Sequence, residues 1–273
     1  MCDIAKVSQS GYYKWLKYAD AQEKDYADYV LIKGIFDKGT AKYGWRTIQM
    51  KLKANIGLVM NHKKIIRIKN KYRLVTRIRR ANPYKLNIRK SLSHKVFRNT
   101  LGRKFQQNTP HRFFCTDITY LPFKSGMVYL SAIKDIASRE IVAWDLAPNL
   151  SMDIAVNTIE SLTRKNAIPS FANVLIHSDQ GSHYTNQMYI NKIKELNMVQ
   201  SMSRKGNCID NAPMESFFGH FKDDIDYSAC KTVEEVRVVI ERYMEYYNNE
   251  RQQWNLKKMT PVQYRNHLLL NRQ

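Results

Sequence analysis

The chain has 273 residues, 44% of them apolar, with 45 Lys+Arg against 24 Asp+Glu and a formal net charge of +21. That length suits one large domain or two ordinary ones, and the apolar content excludes a wholly disordered or fibrous chain. The charge is one-sided: residues 1–110 hold 26 Lys+Arg and 6 Asp+Glu, residues 111–273 hold 19 and 18, and no acid lies between Asp37 and Asp117. Such a field calls for an anionic partner, either nucleic acid or an anionic membrane.

Membrane is the weaker choice. No apolar run reaches the roughly 20 residues of a spanning helix, and the opening Met1-Cys2-Asp3-Ile4 lacks the charged-then-apolar layout of a signal peptide. Cys2, Cys115, Cys208 and Cys230 are scattered without a CxxC pair. This argues against a zinc module or a disulfide framework and predicts a cytoplasmic protein.

In chain order, Glu23 to Lys38 carries a helical stripe (Tyr26, Tyr29, Val30, Ile32, Phe36), with a stop at Gly39. Gly44 to Asn55 places Trp45, Ile48, Met50 and Leu52 in a second helix that ends at Gly57. Asn61 is an N-cap for a third, His62 to Tyr72, where Ile65, Ile66 and Ile68 are apolar and Lys63, Lys64, Arg67, Lys69 and Lys71 cover the rest. Helix, short turn with Gly, then a basic helix is the helix-turn-helix pattern; an ordinary helical hairpin has the same outline. The absence of any compensating acid over this stretch favours the DNA-binding reading. Asn82-Pro83 and Asn108-Thr109-Pro110 are turn signals. They divide the chain into a helical DNA-binding region (1–81), a basic linker (82–110) and a core (111–273).

The core alternates strands and helices. Strands are predicted at Phe113–Phe123, Met127–Ile136, Glu140–Leu146, Val174–Ile176 and Val199–Met202, with Ser138-Arg139 as a tight turn. Helices are predicted from Ser151, as N-cap, to about Asn166 and from Asn186 to Leu196. A long amphipathic helix follows Thr232 (Val236, Val239, Ile240, Tyr243, Met244, Tyr247), and a last one follows Thr260-Pro261. The class is α/β: a mixed five-stranded sheet flanked by helices, preceded by an all-α region.

Three acids stand in contexts unlike a solvated face. Asp117 lies inside an apolar strand. Asp179 ends a buried strand and runs into Gln180-Gly181-Ser182. Glu215 sits on a helix among Met214, Phe217, Phe218 and Phe221. Unpaired carboxylates near a core are costly unless a cation gathers them. Mg²⁺ takes oxygen ligands, and two such ions clamp the oxygens of a phosphodiester exchange. Lys222 lies two helical turns beyond Glu215 on the same face, placed for phosphate. Asp135, Asp145 and Asp210 also allow other sets to be drawn, and a lone Asp at a strand end is often a cap. Pattern alone leaves the choice open.

The segments Phe114-Cys115-Thr116-Asp117-Ile118-Thr119-Tyr120, His177-Ser178-Asp179-Gln180-Gly181-Ser182 and Ser203 through Phe218, with Asp210-Asn211-Ala212-Pro213-Met214-Glu215 at its centre, resemble the second-frame (OrfB) transposases of bacterial insertion sequences. These are DDE recombinases with a retroviral-integrase-like core. Ser10-Gly11-Tyr12-Tyr13-Lys14-Trp15, Tyr43-Gly44-Trp45-Arg46, Asn61-His62-Lys63-Lys64, Tyr246-Tyr247-Asn248-Asn249 and Thr260-Pro261 match in order, so the resemblance covers nearly the whole chain. Phe114 stands where the family often has Trp. The His/Cys zinc domain of retroviral integrases has no counterpart.

The resemblance implies an RNase H-like core and Asp117, Asp179 and Glu215 as catalytic ligands of two Mg²⁺, with Mn²⁺ as a substitute. It implies cleavage and strand transfer at insertion-sequence ends, with double-stranded DNA at element ends and target as partner. A homo-oligomer when active and an upstream-frame (OrfA) product, as fusion or partner, are also expected. Lys222, His177, Gln180, Asn207 and Asn211, with Lys63, Lys64 and Arg67 of the basic helix, are the expected DNA contacts. Two other functions share these features: a DNA-binding regulator with an inactive core, and an RNase H-type nuclease acting on hybrids.

Overall fold

The structure, a computed structural model, describes residues 8–18, 25–77, 96–164, 168 and 170–271. It comprises two compact units, Met1–Ile78 and Arg79–Gln273. The predicted helix start at Glu23, the turn at Asn82-Pro83 and the helix end near Asn166 lie outside the described residues.

The first unit holds α1 (Gln9–Tyr18), α2 (Tyr26–Lys38), α3 (Trp45–Ile56) and α4 (His62–Lys71). Ile32 and Phe36 of α2 pack with Ile48 and Leu52 of α3 and Ile65 and Ile68 of α4. Asn61 caps α4 as expected, its side chain accepting from Lys63 N at 2.9 Å. The basic helix differs from its sequence reading in two ways. Lys69 is buried: its ammonium donates to Thr76 Oγ1 (2.7 Å) and Tyr43 O (3.2 Å) and lies over the Phe36 ring, and burial lowers its pKa. And α4 does have compensating acids. Asp25 accepts both arms of the Arg67 guanidinium at 2.6 and 2.7 Å, and Asp28 pairs with Lys64 at 2.5 Å. Both acids precede the acid-free stretch, and the packing of α2 on α4 brings them back to it.

The second unit is a five-stranded sheet in the order β3-β2-β1-β4-β5. Its strands are β1 (Phe113–Phe123), β2 (Gly126–Asp135), β3 (Ile141–Ala147), β4 (Leu175–Ser178) and β5 (Val199–Met202). The first three form an antiparallel meander; β4 and β5 run parallel to β1. Strand alternation sends odd-numbered β1 residues to one face and even-numbered ones to the other. Cys115 and Leu121 face α8 (Ala212–Asp224) and α9 (Val233–Asn249), in a core with Phe217, Phe221, Ile240 and Tyr247. Phe114 and Ile118 face α5 (Ile154–Arg164), α6 (Ser182–Thr185) and α7 (Gln187–Glu195). The α9 stripe is thus core, with only Val239 of the predicted set half-exposed.

α5 begins at Ile154, so Ser151 is not its cap. Asn186, Thr232 and Thr260 do cap α7, α9 and α10 (Pro261–Leu270), the last with a full capping box through Gln263. Asn248 of α9 closes both backbone groups of Ile141 on edge strand β3, at 2.9 and 3.0 Å. Residues 96–110, read from sequence as linker, pack on the core instead. Leu101 is 2% exposed, and the Thr100 and Leu101 amides donate to Ser201 Oγ on the opposite edge strand, β5.

Candidate active site

Asp117 sits mid-β1, paired with Ala132 of β2, on the sheet face that carries α8. The parallel pairing of β1 with β4 keeps a fixed offset, Phe113 with Leu175 and Cys115 with His177. Asp117 and Asp179 differ by the same offset, so Asp179 leaves β4 at the level of Asp117. Its Oδ1 accepts from Gly181 N at 2.7 Å, and a Cβ on Gly181 would lie 2.8 Å from that oxygen. The Asp-Gln-Gly turn therefore needs glycine at its third position for the carboxylate to fold back on it.

Glu215 is placed by the seating of α8. Phe217, Phe218 and Phe221 turn one side of the helix into the core and leave Glu215 exposed on its flank. Three anchors fix that flank. Asn211 Nδ2 donates to Thr116 O at 3.1 Å, Lys134 Nζ donates to Pro213 O at 3.1 Å, and Lys222 Nζ lies 4.7 Å from the Tyr120 ring centre. α8 therefore runs along β1 in the same direction. One helical turn, about 5–6 Å, separates Glu215 from the first anchor, and one strand residue, about 3.3 Å, separates Asp117 from it. Glu215 thus rides close to the level of Asp117.

Three other acids lie on the opposite face or are already bonded. Asp145 pairs with Ser131, which pairs with Ile118, so it belongs to the opposite sheet face. Asp135 is buried and accepts from His111 N, Ser138 N and Ser138 Oγ; burial raises its pKa, and its work is to hold the β2–β3 turn. Asp210, fully buried, accepts from Asn99, Arg103 and the backbone and guanidinium of Arg204. The Arg204 hydrogen bonds above all hold its carboxyl well below the usual range.

Two expected DNA contacts are corrected. His177 is fully buried. Ser201 Oγ already accepts from Thr100 N and Leu101 N, so its own proton goes to His177 Nδ1 at 2.9 Å. The ring proton is then on Nε2, which donates to Ser203 Oγ at 3.1 Å. Burial pushes the His177 pKa down to about 4, so the ring is neutral and ties β4 to β5. Asn211, 4% exposed, is likewise inside, on β1. Gln180 Nε2 donates to Ser203 O, and Asn207 Oδ1 accepts from Arg103; both are half-buried in the loops around Asp179 and Asp210. In the other unit Lys63 is exposed, whereas Lys64 and Arg67 are paired as described above.

Lys134 is a further residue of the site region that no motif marks. It is buried, over the Phe217 and Tyr247 rings at 5.7 and 5.9 Å, and holds the first turn of α8. A lysine in a largely apolar strand was its one visible signal.

As the side chains stand, no group of three His, Cys, Asp or Glu among the described residues is gathered to hold a metal ion. Asp117 Oδ1 accepts from Ile118 N and Asp179 Oδ1 from Gly181 N. The donor set is nonetheless chemically consistent. Asp117, Asp179 and Glu215 offer oxygen only, and the nearby imidazole of His177 is committed at both nitrogens, which fits a hard divalent cation rather than zinc.

Family models and curated relatives match along nearly the whole chain. Integrase core domain models match residues 107–208 and 215–269, and an HTH-like domain model matches residues 23–82. The transposase for insertion sequence element IS904 of Lactococcus lactis is 31% identical over 85% of this chain and 91% of that protein. InsK of insertion sequence element IS150 from Escherichia coli is 30% identical over 98% of this chain and 93% of InsK. The 31 kDa protein of insertion element IS600 from Shigella sonnei is 30% identical over 97% of both chains. Among solved structures, a chain of the simian T-cell lymphotropic virus intasome aligns with a TM-score of 0.48 at 13% identity, over 80% of this chain and 74% of that one.

The sheet, its flanking helices and the matched core define a DDE polynucleotidyl transferase of RNase H-like architecture. Within that class, the chain belongs to the insertion-sequence transposases. No helix among the described residues is long and apolar enough to cross a membrane.

Proposed function

We propose that this transposase cuts DNA at the ends of its own element and joins the freed ends to target DNA, with Asp117, Asp179 and Glu215 holding two Mg²⁺ ions. The observation that carries the reading is the fixed β1–β4 offset, which brings Asp179 out of β4 at the level of Asp117, together with the Asn211 tie that seats the start of α8 beside the same strand. Bound there, two such ions supply activation of the attacking oxygen and stabilisation of the leaving oxygen. The chain's own groups do the rest. The carboxylates hold the site, Lys222 offers a charge to phosphate beside Glu215, and neutral His177 keeps β4 and β5 in register under Asp179. No protein nucleophile is needed, because the attacking oxygen is that of water or of a DNA 3′-OH. In the other unit, Lys63 and the outer side of α4 are the duplex-facing surface. Joining two ends requires two active sites, hence at least two copies of the chain, and an upstream-frame product is a further partner.

The test is Asp179→Asn, which keeps an oxygen for Gly181 N and so keeps the turn. Strand transfer on labelled element-end DNA is expected to disappear while duplex binding persists. Mg²⁺-dependent joining by this variant would sink the assignment.

A further inference from the structure

Asn211 stands at the N-cap of α8 and makes no capping hydrogen bond. An Asn in that position ordinarily turns its Oδ1 onto the amide of N2 or N3. Here the amide group faces away from its own helix. Nδ2 donates to Thr116 O, the carbonyl immediately before Asp117. That bond fixes which atom is nitrogen, because a carbonyl accepts only from a donor. Oδ1 is therefore the other end of the same amide. It is buried and has no hydrogen-bond partner among the described residues. A buried acceptor left unpaired is costly, and one that persists calls for a partner the protein does not itself supply.

Its surroundings indicate what that partner is. The amide lies between the strand that carries Asp117 and the helical turn that carries Glu215. A hydrated cation held by those acids brings water O–H donors into that space, since Mg²⁺ keeps several of its waters when bound by carboxylates. We infer that Asn211 is a positioning residue of the cation site: its amide nitrogen ties α8 to β1, and its amide oxygen accepts a hydrogen bond from a water on the bound divalent ion. This rests on the carboxylate reading above and goes beyond it, replacing a DNA contact with a role in ordering the ion's outer shell. Partners of that kind typically change metal affinity by about 10- to 100-fold.

Two substitutions separate this role from a purely structural one. Asn211→Ala removes both the tie and the acceptor. Asn211→Asp removes the tie but leaves a stronger, charged acceptor facing the ion. The measurement is Mn²⁺ binding to the full chain without DNA, by isothermal titration calorimetry, with the thermal melt recorded for each variant. Asn211→Ala is expected to weaken Mn²⁺ binding about 10-fold, whereas Asn211→Asp is expected to bind at least as tightly as the native chain despite a lower melt. A residue that only ties α8 to β1 would weaken binding in both variants. That result, or unchanged affinity in Asn211→Ala, would overturn the inference. Should the Ala variant not fold, the direction of change in Asn211→Asp decides alone. Asp179→Asn serves as the reference: if it binds Mn²⁺ like the native chain, the carboxylate reading itself fails, a result distinct from failure at Asn211 alone.

Discussion

His177 shows how a residue one step from the chemistry acts without touching it. Both of its nitrogens are used and the ring is neutral, with its pKa pushed down to about 4 by burial. In the unfolded chain the same ring has a pKa of about 6.5. Between those values the unfolded state binds a proton that the folded state refuses, so stability must rise with pH across that window. The contribution is fully present above pH 6.5 and is lost as pH falls through 4, about 3 kcal/mol in all. His111, His183 and His220 shift in the same direction, burial being the largest cause for each, so the readout is a difference. Urea unfolding of the native chain and of His177→Gln, at pH values from 7 to 4, is expected to show the native chain losing about 3 kcal/mol more than the variant. Parallel pH profiles would contradict a buried neutral imidazole.

At the scale of elements, α2 and α4 revise what charge counting implied. Counted along the chain, α4 lies in a stretch without acids. Folded, Asp25 grips Arg67, has Lys71 3.9 Å away, and is held below its usual pKa chiefly by the Arg67 hydrogen bond, while Asp28 pairs with Lys64. Part of the helix's charge is thus already occupied by the protein. Asp25→Asn should free the Arg67 guanidinium for phosphate. Each phosphate neutralised on B-DNA steepens the log-affinity slope against log salt by about 0.9. Binding of the full chain to element-end duplex, measured from 50 to 200 mM salt, is therefore expected to be tighter and steeper by about that amount in the variant. An unchanged slope would mean that Arg67 contacts DNA while still paired. Elements whose signal is local were legible in the sequence: β1 and β5 match their predicted bounds, and Asn61, Thr232 and Thr260 all cap. Alternation and caps are written within a few residues. The partners of Arg67, the two-sided grip on His177 and the seat of Lys134 depend on residues 24 to 79 positions away, which no periodicity encodes.

For the whole molecule, the boundary of greatest consequence lies well before residue 110. The first unit ends at Ile78, and residues 96–110 are part of the second. They carry no periodic signal because they dock by single groups. Leu101 enters the core beside α8 and α9, two amides close on Ser201, and Asn99 and Arg103 complete the shell of buried Asp210. Burying one Leu contributes about 2 kcal/mol, and a buried acid that keeps Arg204 but loses two of its hydrogen-bond donors costs a further ~1–3. Residues 1–78 hold 17 Lys+Arg and 6 Asp+Glu, and residues 79–273 hold 28 and 18, so much of the positive excess belongs to the second unit's own chain. Two deletions then have different outcomes. Removing residues 1–78 is expected to leave a cooperatively folding core that still binds duplex with a reduced but real salt slope. Removing residues 1–110 takes away Leu101 and two partners of Asp210, and is expected to lower the unfolding free energy by several kcal/mol. Guanidinium unfolding of both fragments, followed by circular dichroism, checks the division. Equal stability would show that the segment before β1 is only a tether, and the charge it carries would then serve DNA alone.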